Sequence, residues 1–270
     1  MHKDSRITIG FLLLAIATGA ALFAPLVAAD PFAFNTIGRL KPPSGDHLFG
    51  TDNFGRSVYS RTVYGAQISL LVGITVAAIS VVFGLTVGML AGFHRHLDNV
   101  LMRVMDGVMS IPAILLAIAL ASITGGGIAA VIVAITVPEI PRVVRLVRSV
   151  VITIRELPFV EAAIGSGSSS AMIMIRHILP NTVAPLVVQA TYVAASAILT
   201  EAVLSFLGIG TPPTTPTWGN MIANGRTFFA IAPWVILFPG LGLSLVVLAV
   251  NLLGDGLRDR LDPRLTHRMR

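Results

Sequence analysis

Six long stretches of mostly apolar residues follow one another along the chain, at about 7–29, 68–93, 103–123, 127–148, 182–208 and 231–254. A helix rises about 1.5 Å per residue, so about 20 apolar residues cross the roughly 30 Å hydrocarbon layer of a bilayer. Each stretch is therefore predicted to be a transmembrane helix. The third and fourth are separated only by Gly125-Gly126-Gly127, which reads as the turn of a helical hairpin. Asp106 and Gly107 make the start of the third ragged, and the fourth ends in Pro138-Glu139-Ile140-Pro141. Two prolines weaken helical hydrogen bonding there. The first stretch has a basic flank (His2, Lys3, Arg6) and a Val27-Ala28-Ala29 run like those of a secretory signal. Its apolar run from Ile7 to Ala24 exceeds the roughly 7–15 residues of a signal's core, so it reads as a retained anchor. The fold class is an all-α membrane protein with six transmembrane helices in a single domain, 1–270.

Composition agrees. The chain is 54 % hydrophobic and only 12 % charged, against about a quarter charged in a soluble domain. Its net charge of +6 comes from two lysines and seventeen arginines lying mostly between the apolar runs. With the N-terminus placed in the cytoplasm, fourteen of these residues fall on the inner side and five on the outer. That is the bias expected of a membrane protein with both termini cytoplasmic, and headgroups rather than nucleic acid account for the charge. The absence of cysteine excludes disulfides, thiolate catalysis and Cys-ligated zinc.

Two connections are too long to be simple turns. The outer one, about 30–67, contains Pro42-Pro43, Gly45 and Gly50, then an amphipathic stretch around Val58, Val63 and Tyr64. The inner one, about 149–181, has helix-compatible sequence at Arg155–Ala163, a Gly165–Ser170 turn, apolar Met172–Ile175 and a closing Pro180. Two short helices around a turn would make a compact knuckle, since a disordered linker has little reason to carry that apolar cluster.

Catalytic signatures are missing. Lysine occurs only at positions 3 and 41, so no phosphate-binding GxxxxGK[ST] loop exists, and there is no HExxH. His94 and His96 stand two apart and point to different faces of a helix; Gly165-Ser166-Gly167 lacks the spacing of a nucleophile elbow. Few polar residues fall inside the spans: Glu201 toward the outer end of the fifth, Gln189 nearer its inner end, and Asn251 in the sixth. A carboxylate there marks a translocation path or a paired interior site, unless its head reaches the outer water layer. Both readings of Glu201 stay open.

Glu161-Ala162-Ala163, Gly167 and Ile178-Leu179-Pro180-Asn181 together resemble the EAA motif of bacterial ABC importer permeases. The stretches His47–Asp52, Gly55-Arg56, Ser60-Arg61 and Tyr64–Ala66 resemble one subfamily, whose members serve dipeptide, oligopeptide and nickel importers. So do Leu204–Gly208, Pro216–Met221, Pro239-Gly240, and the ending Asn251–Asp259 with Leu261-Asp262-Pro263. The likeness extends from about residue 45 onward. The sequence departs from the subfamily in its short N-terminal tail, in Ser168–Ser170, and in His94–Leu97 where a glycine-rich loop is usual.

The resemblance implies the type I ABC importer permease fold and a permease subunit of the bacterial inner membrane, with no enzymatic activity of its own. The expected partners are a second permease chain, two ATP-binding subunits and an extracytoplasmic solute-binding protein. ATP and magnesium would be used by the partners, and this chain would bind no cofactor or metal. Glu161, Ala162, Ala163, Gly167, Leu179 and Pro180 would couple it to the ATPase, with a coupling helix at about 158–170. Glu201 is the candidate for the translocation path. Peptides are the expected substrates and nickel the alternative. A membrane protein without transport and a proton-driven carrier are the readings from other classes, and the carrier would want more buried carboxylates.

Overall fold

The structure is a computed structural model that describes residues 3–261. His2, Arg264, Arg268, Arg270 and the Asp262-Pro263 pair lie outside the described residues. The chain forms α1 (Lys3–Leu22), α2 (Ala24–Val27), α3 (Val58–Phe93), α4 (Arg95–Met109), α5 (Ala113–Ile123), α6 (Ile128–Arg155), α7 (Pro158–Gly165), α8 (Ser170–Ile173), α9 (Leu179–Phe206), α10 (Trp218–Gly225) and α11 (Trp234–Leu261). A π-helical turn, Met174–Ile178, joins α8 to α9. Among the described residues the only β pairing is a single bridge between Thr51 and Ser57.

Helix α3 is the axis of the bundle. It packs on α6 along one side, on α9 along another, and touches α1 and α11. Its 36 residues span about 54 Å. The amphipathic stretch around Val58–Tyr64 is thus the first part of this helix, not of a loop. Ser57 caps it by accepting from the Ser60 amide at 3.2 Å.

Close approach of α3 and α6 depends on a row of glycines four apart. A Cβ on Gly88 would lie 2.7 Å from Val147 Cβ, and one on Gly92 2.6 Å from Val151 Cβ; one on Gly84 would overlap Val143. Lipid tails are as apolar as leucine, so helices in a bilayer associate through such close packing rather than through hydrophobic expulsion from water.

Among the described residues, four helical segments are long and apolar enough to cross a membrane: Ser5–Leu22, Val58–Phe93, Ser170–Phe206 and Trp234–Leu261. The α4–α5 pair makes a fifth crossing if counted as one, but it is bent by 85°. This corrects the expectation of one continuous helix at 103–123. Pro112 has no amide hydrogen and disfavours helical backbone at Ile111, so α4 stops at Met109 and α5 restarts at Ala113. The prolines of α6 have the opposite outcome. That helix runs unbroken past Pro138 and Pro141 to Arg155, both rings being buried against neighbouring helices. Its length of 28 residues suffices for a crossing, although Glu139, Arg142, Arg145 and Arg148 interrupt its apolar character.

Candidate functional site

Two places bring together residues singled out by sequence, one at each end of the bundle. The first is the knuckle between α6 and α9. Helix α6 ends at Arg155, whose Nη1 donates to the Gly92 and Phe93 carbonyls at 3.3 and 3.2 Å and ties it to the end of α3. Pro158 then opens α7, where its missing N–H costs nothing, and Glu161 sits in the first turn beside the positive end of the helix dipole. The helix ends when the Ser168 amide reaches back to the Ala163 carbonyl, with Gly167 at φ +82°. Only glycine adopts that left-handed geometry without strain. Ser169 caps α8, its Oγ accepting from the Met172 amide at 3.3 Å.

Val160, Ile173 and Ile178 are buried and fasten the knuckle to the main core. Its other side is open. Glu161, Ala162, Gly167 and Pro180 are exposed, while Ala163 and Leu179 are half-buried. Around them Leu157, Phe159, Ile164, Met172 and Ile175 are all exposed large apolar side chains. Exposed large apolar side chains gathered on two short neighbouring helices have the character of a contact surface for another protein. The two short helices and the turn agree with the knuckle read from the sequence. The helical part at 158–170, however, is α7 followed by a non-helical turn rather than one helix.

The second place lies between the ends of α9 and α10. Glu201 is fully buried there. Its Oε1 accepts from Ser205 Oγ at 2.7 Å, while Ser205 Oγ also lies 3.2 Å from Thr211 Oγ1. Asn220 holds the intervening loop: its Nδ2 donates to the Pro212 carbonyl at 2.9 Å, Thr211 Oγ1 at 3.0 Å and the Thr215 carbonyl at 3.2 Å. Thr217 caps α10 by accepting from the Asn220 amide, and Trp218 Nε1 donates to the Thr62 carbonyl of α3 at 3.0 Å. The Pro216–Met221 string is therefore a clamp that docks α10 between α3, α9 and α11. Asn220→Ala removes the clamp's branching donor from Thr211 Oγ1 and from the part-buried Pro212 and Thr215 carbonyls, at a total cost of about 1–3 kcal/mol. Its expected effect is a lower thermal unfolding midpoint of the purified chain in detergent, which Asn220→Ala must show for this role to stand.

Residues 81–267 match the family described as the binding-protein-dependent transport system inner membrane component. The chain belongs to this family. It is 57 % identical over 248 residues to a probable peptide ABC transporter permease of Sinorhizobium fredii, covering 92 % of this chain and 85 % of that one. It is 42 % identical over 267 residues to a dipeptide transport system permease of Alkalihalophilus pseudofirmus, covering 98 % and 88 % respectively. Among solved structures, inward-facing conformations of the MetNI methionine ABC transporter match with a TM-score of 0.61 at 21 % identity, covering 75 % of this chain and 96 % of that one. The fold is that of a type I ABC importer permease.

The permease also holds a buried acid that sequence reading treated only as the end of a span. Glu139 of α6 is 3 % exposed; it accepts from Arg142 Nη1 at 3.0 Å and from Ser196 Oγ of α9 at 2.9 Å. A carboxylate within an apolar run, flanked by prolines, was the available signal. On α9, one turn before Ser196, Tyr192 donates to Asp255 of α11 at 2.6 Å.

Proposed function

We propose that this permease is one of the two membrane chains of an ATP-driven importer of peptides. The exposed knuckle is the observation that carries the reading. An exposed apolar surface around Glu161 and Ala162, outside the bundle yet fastened to its core, suits a rigid contact with an ATPase subunit. Ala162 and Ala163 let a partner approach closely, and Glu161 offers it a charge. The partners are a second permease, two ATP-binding subunits that use ATP and magnesium, and an extracytoplasmic binding protein. The knuckle faces the cytoplasm of a cell whose inner membrane holds the complex, as the distribution of arginine favours. ATP binding closes the ATPase pair, the knuckle moves with it, and the bundle alternates between inward- and outward-facing states. The peptide substrate follows the named relatives.

Uptake of labelled di- and oligopeptides and of nickel(II) in a strain lacking this chain tests the proposal. Loss of peptide uptake, restored by the wild-type gene, is the expected result. Loss of nickel uptake alone would move the chain to a metal importer, and loss of neither would sink the transport reading.

Glu201, buried and held by Ser205, remains our candidate for the translocation path. Glu201→Gln keeps the acceptor for Ser205 but removes the charge. Uptake is expected to fall while basal ATP hydrolysis by the complex continues; unchanged uptake would make the carboxylate a local fastening of α9 only.

A further inference from the structure

Polar side chains line the seam between α6 and α9 over the inner half of the bundle. Glu139, Arg142 and Leu146 follow at i, i+3 and i+7 on α6, and Gln189, Tyr192 and Ser196 repeat that spacing on α9. Each set therefore lies along one helix face. Ser196 meets Glu139, while Gln189 and Tyr192 border the same cavity as Leu146, so the two faces run antiparallel. Counted from Ile128, Glu139 lies about 16 Å along α6 and Leu146 about 27 Å. Across a hydrocarbon layer of roughly 30 Å, the seam runs from the middle to the boundary on the knuckle side. Arg142 pairs with Glu139, yet 45 % of its side chain is exposed at mid-depth. A guanidinium facing acyl chains there is costly, so this face is turned to a polar space rather than to lipid.

At the foot of the seam lies a cavity of about 380 Å³, within the size range of small-molecule sites. Leu146 of α6, Val188 of α9 and Leu261 of α11 give it apolar walls. Gln189, Tyr192 and Arg258 are its polar members. The Gln189 amide has no hydrogen-bond partner among the described residues. Asp255 is engaged by the Tyr192 hydroxyl, which Arg258 also reaches. No carboxylate among the described residues forms a salt bridge with Arg258. The cavity thus offers one guanidinium, one amide that can both donate and accept, and an apolar pocket.

We propose that this cavity binds the C-terminal end of a short peptide. Arg258 takes the carboxylate through charge-assisted hydrogen bonds, Gln189 pairs with the last peptide group, and Leu146, Val188 and Leu261 receive an apolar last side chain. The site lies on the knuckle side of the bilayer, so it holds a peptide that has already passed the middle of the membrane. A lipid phosphate is the rival occupant. It would satisfy Arg258 but makes no use of an amide that donates and accepts, and the polar seam above the cavity does not suit acyl chains. This inference rests on the peptide reading of the proposed function.

The chain contains no cysteine, so Ala184→Cys on the cavity wall reports occupancy by its rate of reaction with a water-soluble maleimide. The rate is measured in the nucleotide-free assembled importer, free of other reactive cysteines, in phosphatidylcholine nanodiscs. Alanyl-phenylalanine is expected to slow the reaction several-fold, and its C-terminal amide far less. Arg258→Gln is expected to erase the difference between the two peptides and Arg258→Lys to keep it. Equal protection by both peptides, protection by neither, or a position that the maleimide never reaches would overturn the site. A difference lost in Arg258→Lys as well would make Arg258 a packing group and overturn its role. Protection by added phosphatidylglycerol but not by peptide would give the cavity to lipid. Cellular uptake of the same labelled dipeptide separates the two readings: uptake without protection at position 184 removes only this site, whereas absent uptake of any peptide removes the transport reading itself.

Discussion

Ala162→Trp is expected to abolish uptake while the chain still folds, inserts and accumulates at the normal level. Ala162 is exposed on α7 and its side chain supports nothing inside this chain, so bulk there does not touch the core. Anchoring is left to Val160, Ile173 and Ile178, which the substitution does not reach. What changes is the surface offered to a partner. An indole adds on the order of 150 Å² or more of rigid surface where a methyl group allowed close contact. Driving a two-state bundle from 1:99 to 99:1 requires about 5.5 kcal/mol of differential interaction. In the proposed function that coupling passes through this one patch. A contact displaced by a ring's width would transmit little of it. Uptake of labelled peptide, with protein level and ATP hydrolysis measured in parallel, is the check. Normal uptake by Ala162→Trp would remove the coupling role from the knuckle, whatever the substrate proved to be. Ala162→Ser, of nearly unchanged volume, is expected to transport normally and separates bulk from polarity.

The apolar runs made the helical class legible because a bilayer asks for length and hydropathy, and both can be counted. Prolines were the hardest signal. Pro112 sits where α4 already turns its acids toward α6, and there it ends a helix; Pro138 and Pro141 sit in a tightly flanked helix that continues through them. The local cost is alike and the tertiary surroundings decide the outcome, which a single chain read in order does not reveal. Glu161, Ala162 and Gly167 were found by motif, and their exposure came only with the structure. Glu201 was placed at the right end of α9, but nothing in its neighbours told of Ser205, Thr211 and Asn220 closing over it. Arg145 and Arg148 counted as inward charge without showing that Asp106 and Asp98 would claim them. The glycines of α3 were passed over because glycine has no side chain to mark a face. Their meaning lies in Val143, Val147 and Val151, about sixty residues away.

That stripe supports the second large effect. Gly84→Ala places a methyl carbon in overlap with Val143 Cβ and Cγ1, and the nearest backbone, the Val144 amide nitrogen, lies 3.3 Å from it. A β-branched side chain on a helix has one preferred rotamer and cannot turn aside, so the helices themselves must separate. Overpacking of this kind costs about 1–3 kcal/mol, and occasionally more where backbone blocks relaxation. Gly84→Ala is therefore expected to unfold at a clearly lower temperature in detergent and to accumulate at a reduced level in the membrane. Loss of stability alone would not identify the α3–α6 contact as its cause. The reciprocal exchange does. In Gly84→Ala/Val143→Gly the new methyl group enters the space vacated by Val143, and the contact keeps one small partner on each level. Glycine within α6 has its own cost of about 1 kcal/mol, measured in Val143→Gly alone. If close packing is what holds these helices, the double variant is more stable than the sum of the two single losses, by at least 1 kcal/mol of coupling. Additive losses would mean that the bundle is held elsewhere and that the glycine row is incidental.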